Sequence, residues 1–223
     1  MILLRDPAYQ LVIPPDANKD RSVGIHVTPV LTDFYIRAHA PKWAENKEGE
    51  DPDERKIDPM FAIRGWAFEN ALGKAFAQAS GVKLSQTEIC VDEGGIKIFM
   101  TPDWWALPDE VVPYPHLIES KATDKSMKKL EDPALDTPEK LVASFKQHFR
   151  LWDLQIQCYL RNLHMVACHL YVWWVRGDYK FGGPRGVETV KRYVLGYQVH
   201  ELEETWSTIK NHARRMRAEG RFK

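Results

Sequence analysis

The sequence predicts an α/β or α+β domain in which a central mixed sheet is flanked by helices. Apolar residues at helical spacing indicate long helices, and short β-prone runs bounded by turn residues lie between them. The chain has 223 residues, of which 44% are apolar, and this is enough to bury a sizeable core. We therefore expect a single domain over residues 1–223, with an extended N-terminal lead-in over about 1–25.

The first half of the chain is predicted to begin with two helices. A hydroxyl cap at Thr28, followed by a first-turn proline, begins the first helix, which runs to about His39. An acidic stretch over residues 45–58 is expected to be a solvated loop. Apolar residues at helical spacing predict the second helix over 61–79, and Gly81 follows it as a stop.

Three strands are predicted next. Residues 84–91 and 96–101 are β-prone and flank a glycine-containing turn, which is typical of a hairpin. The proline-rich residues 102–115 are expected to form a loop. Residues 116–123 then read as a short strand that is largely buried.

The second half of the chain is predicted to contain two helices and two strands. A long helix is predicted over 138–163, and residues 165–176 and 188–199 are predicted to be two strands around a glycine-rich turn. A basic C-terminal helix is expected over about 201–219.

The composition excludes several classes of protein. Lysine and arginine total 31 and equal the 31 aspartates and glutamates, so a site for a polyanion has to be a local patch. The three cysteines, Cys90, Cys158 and Cys168, form no CxxC pair and indicate free thiols in the cytoplasm. No apolar run approaches the ~20 residues that a membrane helix needs, so no membrane association is expected.

The chemistry is carried by charged residues on and near the predicted strand over 116–123. Alternation along a strand places Glu119 and Lys121 on one face. Asp103 lies sixteen positions before Glu119, where a neighbouring strand could bring the two carboxylates together. Two carboxylates at adjacent strand ends are oxygen ligands of the kind that Mg²⁺ or Mn²⁺ prefers. The same residues also fit a charged strand pair and a loop aspartate without a catalytic role.

These residues resemble a known signature. Pro102 and Asp103, followed by Glu119, Ser120 and Lys121, resemble the motif of the PD-(D/E)XK nuclease superfamily. The resemblance implies a restriction-endonuclease-like core.

Two further matches strengthen the resemblance, which covers about residues 27–175. Gly65 and Glu69 precede the hairpin, as the first-helix glutamate of the superfamily does. Gln155 and Tyr159 have the spacing QxxxY, which is similar to the additional motif of the RecB-like branch with its lambda-type exonucleases. Residues four positions apart share one helix face, so both side chains point the same way.

The resemblance implies a division of roles among these residues. Asp103, Glu119 and the backbone carbonyl of Ser120 would bind Mg²⁺ or Mn²⁺, with Glu69 as a further candidate ligand. An iron–sulfur cluster, which many CRISPR-associated relatives carry, is not expected, because the chain has only three scattered cysteines.

The remaining catalytic candidates would act on water and substrate. Lys121 would orient or help deprotonate the attacking water, and Gln155 and Tyr159 would position the substrate backbone or the lysine. The implied activity is metal-dependent hydrolysis of phosphodiester bonds in DNA, with an exonuclease acting on DNA ends preferred. A structure- or site-directed endonuclease and a catalytically idle DNA-binding module are the alternatives. A recombination or repair protein is a candidate partner, whereas oligomeric state and strand polarity stay open.

Two groups of residues are candidates for contacts with DNA. Trp104 and Trp105 follow Asp103 and could stack on unpaired bases, although packing inside the protein explains them equally well. A basic helix face could bind phosphates, or could be a solvated helix end favoured by the helix dipole. That predicted face consists of Lys210, Arg214, Arg217 and Arg221.

Overall fold

Helices and two mixed sheets make up the computed structural model, which describes residues 24–39, 59–81, 83–106, 115–175 and 189–222. Strands β1 to β7 span Ile25–His26, Ile89–Asp92, Lys97–Met100, Trp104–Ala106, His116–Thr123, Ala167–Trp174 and Thr189–Gly196. Helices α1 to α6 span Val27–His39, Pro59–Ser80, Lys128–Glu131, Pro138–His148, Arg150–Asn162 and Val199–Ala218. The predicted α/β class with a mixed sheet and flanking helices is confirmed.

The larger sheet has the strand order β4-β5-β6-β7. Strand β5 is parallel to β6 and antiparallel to β4, and β7 is antiparallel to β6. The smaller sheet has the order β1-β3-β2. In the larger sheet Trp104 pairs with Ile118, so β4 begins beside the middle of β5.

The two faces of β5 have different neighbours. Helix α2 covers one face, where Phe68 packs on Trp173 with ring centroids 5.6 Å apart and Phe76 packs on His116 at 5.9 Å. The other face carries Leu117 and Glu119, both of them fully buried. Helices α1, α5 and α6 contribute to the hydrophobic core.

Most of the predicted elements are present with ends shifted by three residues or fewer, but the first hairpin strand begins at Ile89 and not at residue 84 as predicted. The strand over 116–123 has the predicted bounds, and α1 and α2 end where the sequence signals place them. The hairpin of β2 and β3 turns through Gly94 and Gly95, whose φ angles of 69° and 83° are left-handed and favour glycine. The amide of Gly95 donates to Oδ1 of Asp92 at 2.7 Å and closes the turn.

The long helix predicted over 138–163 is wrong, because it is two helices. Phe149 separates α4 from α5 with φ −131° and ψ 33°, which are not helical angles. Its ring is buried, stacks on Trp152 at 4.6 Å and meets Trp174 edge-on at 5.9 Å.

Three short elements were not predicted. Strand β4 lies within the expected proline-rich loop, where it pairs with β5. Strand β1 lies at the end of the expected lead-in and pairs in parallel with β3, and α3 is a single helical turn. Most of the lead-in, the expected acidic loop over 45–58 and the rest of the proline-rich loop lie outside the described residues.

The described residues also bear on the cysteines and on membrane insertion. Cys90 is exposed, Cys158 and Cys168 are buried, and all three are free thiols. Within the described part of the chain, no helix combines the length and apolar character that crossing a membrane requires.

Candidate active site

The start of β4 brings Asp103 against β5, as the sequence predicted. Oδ2 of Asp103 accepts hydrogen bonds from the backbone N–H of Ser120 at 2.7 Å and from its hydroxyl at 2.6 Å. The backbone N–H of Asp103 in turn donates to Oε1 of Glu119 at 3.2 Å. These reciprocal bonds hold the two carboxylates next to each other.

Glu119 and Lys121 lie on the same face of β5, which confirms the prediction from strand alternation. Nζ of Lys121 lies 2.7 Å from Oε2 of Glu119. The side chain of Glu119 is only 1% exposed and that of Lys121 is 17% exposed, so the ion pair is largely withdrawn from water. A buried pair of this kind needs good geometry to offset the cost of removing two charges from water.

The electrostatics of this cluster favour additional positive charge. Burial and the neighbouring charge of Asp103 raise the pKa of Glu119 to about 7, although Lys121 acts in the opposite direction. Burial lowers the pKa of Lys121, but the charges of Glu119 and Asp103 outweigh burial and raise it above its ordinary value. The lysine is therefore a cation in this arrangement.

Helix α5 contributes the QxxxY pair and links it to the strand that precedes Asp103. Nε2 of Gln155 donates to the hydroxyl of Tyr159 at 2.8 Å, and that hydroxyl donates to the carbonyl of Thr101 at 3.3 Å. Burial, followed by the charges of Glu119 and Asp103, raises the pKa of Tyr159 well above its ordinary value, so the phenol keeps its proton.

Thr28 is a neighbour of this pair that sequence reasoning missed. Its hydroxyl accepts a hydrogen bond from Nε2 of Gln155 at 3.1 Å. The sequence marks Thr28 only as a helix cap, because its contact with Gln155 spans 127 positions and leaves no local signal.

Glu69 lies on α2. Its Oε1 accepts a hydrogen bond from Nε2 of Gln86 at 2.6 Å. Its backbone carbonyl accepts one from the indole N–H of Trp104 at 3.2 Å. Glu69 is therefore connected to the strand that begins beside Asp103, and its role as a metal ligand stays a prediction.

The residues present fit a hard divalent cation. Asp103 and Glu119 offer carboxylate oxygens, and their mutual repulsion is what a bound cation would relieve. Within the described ranges, no group of three or more His, Cys, Asp and Glu residues is arranged to hold a metal. Mg²⁺ is usually bound through one or two carboxylates plus water and substrate phosphate, so two carboxylates are enough for it.

The two tryptophans proposed for base stacking both hydrogen-bond within the protein. The indole N–H of Trp104 donates to Glu69, and that of Trp105 donates to the carbonyl of Thr87 at 3.4 Å. Trp105 also packs against the hydrophobic core. Contact of either ring with DNA stays a prediction.

Two of the four basic residues predicted to form one helix face pair with acidic residues of the protein. Nζ of Lys210 lies 3.3 Å from Oε2 of Glu93, in the turn between β2 and β3. Arg221 follows the end of α6, and its guanidinium donates to both carboxylate oxygens of Asp33, at 2.7 Å and 2.5 Å. The grouping of Arg221 with the helix face is therefore corrected.

The other two basic residues are exposed. Arg217 donates to the carbonyl of Gly95, and Arg214 donates to Oδ1 of Asn211 at 3.1 Å. Both guanidinium groups keep donors for further partners, since each carries five N–H bonds. Phosphate binding by these residues stays a prediction.

Comparison with known proteins finds similarity in the fold and none in the sequence searches. No protein-family model matches the sequence, and no curated protein sequence matches it. The alkaline exonuclease LHK-Exo from Laribacter hongkongensis superposes with a TM-score of 0.50 at 12% identity, over 89% of this chain and 90% of that chain. Its complex with dAMP gives the same TM-score at 14% identity and the same coverage.

A phage-related exonuclease from Haemophilus somnus 129PT is also similar, with a TM-score of 0.45 at 8% identity, over 89% of this chain and 96% of that chain. The chain thus shares the fold of the Laribacter alkaline exonuclease over most of its length. The fold that the resemblance to the PD-(D/E)XK superfamily implies is confirmed as one shared with the Laribacter alkaline exonuclease.

Proposed function

We propose that this chain is a metal-dependent nuclease that hydrolyses phosphodiester bonds in DNA and acts as an exonuclease on DNA ends. The observation that carries the proposal is the buried cluster in which Asp103, Glu119 and Lys121 meet at the junction of β4 and β5. Support comes from the fold shared with the Laribacter alkaline exonuclease, which has been crystallised with dAMP.

The cation would be Mg²⁺ or Mn²⁺. Asp103, Glu119 and the carbonyl of Ser120 would hold it, with Glu69 as a further candidate. When bound, the cation would offset charge on the scissile phosphate and lower the pKa of the attacking water. The hydrogen bonds from Ser120 to Asp103 fix one oxygen of that carboxylate, so its plane is set before a cation arrives.

Lys121 would act on the attacking water and on the phosphate. Its ammonium group holds three N–H donors, of which Glu119 accepts one in this arrangement. The remaining donors would orient the water and offset negative charge that develops on the phosphate oxygens. Because Lys121 is not a metal ligand, its removal should affect the chemical step more than cation binding.

Gln155 and Tyr159 would position the substrate. Tyr159 links α5 to the carbonyl of Thr101, two residues before Asp103, and so fixes the helix relative to the site. Gln155 is only partly buried, which leaves its amide accessible to a DNA backbone or to Lys121. This QxxxY pair is the feature that favours action on DNA ends over internal cutting.

The experiment that tests the proposal compares linear duplex DNA with covalently closed circles of the same sequence in Mg²⁺, with and without excess chelator. We expect linear DNA to be degraded, closed circles to persist and the chelator to stop the reaction. Equal cutting of both substrates would support a structure- or site-directed endonuclease instead. Binding of DNA without cutting in Mg²⁺ or Mn²⁺ would support a catalytically idle module.

A further inference from the structure

Trp104 lies directly against the backbone of α2 at Gly73. A Cβ atom built on Gly73 would come 2.1 Å from Cε2 of the indole and 2.3 Å from its Nε1. Carbon atoms in ordinary contact are about 3.5 to 4.0 Å apart. Glycine is therefore required at this position for the ring to lie where it does.

The same ring is held at a second point on the helix. Its N–H donates to the carbonyl of Glu69 at 3.2 Å, four residues before Gly73. Residues four apart lie one above the other on a helix, so Gly73 and the carbonyl of Glu69 are neighbours on one face of α2. We call the space beside Gly73 that the indole fills the notch. Two contacts on one rigid helix fix both the position and the orientation of the indole.

Neighbouring residues carry the indole and the carboxylate of Asp103. Trp104 is the first residue of β4 and follows Asp103 directly, so the backbone that carries the indole also carries the carboxylate. That carboxylate accepts the N–H of Ser120, which lies on β5 beyond the start of β4. A shift of the indole along α2 would therefore move the carboxylate relative to β5.

We infer that Trp104 is a positioning residue of the active site, and that its indole, seated in the notch at Gly73, holds Asp103 against β5. The catalytic part of this inference rests on the proposed nuclease function. The inference gives Trp104 a role other than stacking on DNA bases, and it couples the helix that carries Glu69 to the carboxylate of Asp103.

The test compares Trp104→Phe and Gly73→Ala with a matched control. Trp104→Phe removes the N–H and the ring atoms nearest Gly73, and Gly73→Ala forces the indole to shift. The control is the buried Trp206, whose change to Phe also removes an indole N–H bond, at 2.8 Å, to Glu93 in the turn between β2 and β3. Each variant is measured by melting temperature, hydrogen exchange of the Ser120 amide, Mn²⁺ affinity by calorimetry, and kcat and KM on linear DNA.

We expect Trp104→Phe and Gly73→Ala to speed exchange of the Ser120 amide and to weaken Mn²⁺ binding by about tenfold, the effect of one lost hydrogen bond. In both variants kcat should fall while KM changes little, because the substrate contacts are intact. Trp206→Phe should lower the melting temperature by a similar amount without changing Ser120 exchange or Mn²⁺ affinity. The double variant should lose less than the sum of the single variants, because phenylalanine leaves room for the added methyl group.

The inference is overturned if Trp104→Phe leaves Ser120 exchange and Mn²⁺ affinity as in the wild type, or if Trp206→Phe changes them equally. Failure of the proposed function would look different. In that case the wild-type chain itself would bind no Mn²⁺ and cut no DNA, and the exchange rate of the Ser120 amide alone would decide whether Trp104 positions Asp103.

Discussion

The ammonium group of Lys121 donates to Oε2 of Glu119 across 2.7 Å, while Oε1 of the same carboxylate accepts the backbone N–H of Asp103. Glu119 is thus held on one side by a cation and on the other by the strand that carries the second carboxylate. In the proposed mechanism Asp103 and Glu119 would be the cation ligands, whereas Lys121 would orient water and offset charge.

The first prediction separates cation binding from chemistry. Lys121→Met should abolish most cleavage, by about a hundredfold or more, and should leave Mn²⁺ affinity largely intact. The physical reason is that the ammonium group orients water and offsets charge but does not bind the cation. Mn²⁺ affinity is measured by calorimetry and cleavage by release of labelled nucleotide from linear duplex DNA.

Asp103→Asn is the matched comparison for this prediction. It keeps the shape of the side chain but weakens a proposed ligand, so both Mn²⁺ affinity and cleavage should fall. If Lys121→Met lost Mn²⁺ affinity as severely as Asp103→Asn, the role given to Lys121 would be wrong.

The second prediction concerns the hydroxyl of Tyr159. Tyr159→Phe removes the hydrogen bonds to Gln155 and to the carbonyl of Thr101, so Gln155 loses its fixed orientation. We expect kcat/KM on linear DNA to fall about tenfold and the free energy of unfolding to fall by about 1 kcal/mol. The control is Tyr197→Phe, whose hydroxyl donates to Oδ1 of Asp153 at 2.8 Å.

The two tyrosines distinguish positioning from stability. Tyr197→Phe should lower the free energy of unfolding by a similar amount without lowering kcat/KM. Equal loss of activity in both variants at matched stability would show that the hydroxyl of Tyr159 has no specific role in the site.

The third prediction concerns Asp33, the buried partner of Arg221. Burial raises the pKa of Asp33, but hydrogen bonds from His212, Arg221 and Arg37 outweigh burial and hold it well below its ordinary value. A carboxylate with a lowered pKa in the folded state stabilises the protein above the pKa of the unfolded chain, about 4, and this stabilisation is lost as pH falls further. Because Arg221→Ala would leave a buried carboxylate without this partner, it should lower the free energy of unfolding by about 3 kcal/mol.

Urea unfolding at several pH values checks the prediction for Asp33. The difference in free energy of unfolding between the wild type and Asp33→Asn should be constant from pH 7 to about pH 5. It should then shrink by about 1.4 kcal/mol for each pH unit below about 4. The control, Asp136→Asn, removes an exposed ion pair with Lys140 and should differ little from the wild type at any pH. A difference for Asp33→Asn that stayed constant down to pH 2.5 would contradict the assignment.

The fourth prediction concerns the exposed residues Arg214 and Arg217. Replacing both with alanine should weaken DNA binding and reduce the slope of log affinity against log salt by about 2, as expected for two lost phosphate contacts. Turnover at saturating DNA should not change. Binding is measured by fluorescence anisotropy on duplex DNA between low and high salt. An unchanged salt slope would show that these arginines do not contact phosphates.

Patterns of short range were enough to predict much of the fold and the core of the site. The bounds of β5 follow from a run of eight residues, and the shared face of Glu119 and Lys121 needs only the two-residue period of a strand. Gln155 and Tyr159 likewise meet because residues four apart on a helix are neighbours.

Features that depend on distant partners were not predictable from the sequence. At the break between α4 and α5, Phe149 packs on Trp174, and a helical pattern continues through this position without any glycine or proline. The spacing of the basic residues places Arg221 on a basic helix face, because the sequence gives no sign that its partner is Asp33, 188 positions away. The contact between Gly73 and the ring of Trp104 is not predictable either, because a glycine within a helix does not indicate which side chain packs against it.

The most direct test of the central claim is single-turnover cleavage of end-labelled linear duplex DNA by Glu119→Gln at saturating Mg²⁺, beside the wild type. Glutamine keeps the shape of the side chain but removes the charge that would hold the cation. We expect the wild type to cleave in Mg²⁺, to stop in excess chelator and to turn over little in Ca²⁺. Glu119→Gln should be slower by about a thousandfold or more while remaining folded. Cleavage by Glu119→Gln at the wild-type rate would show that the catalytic centre lies elsewhere.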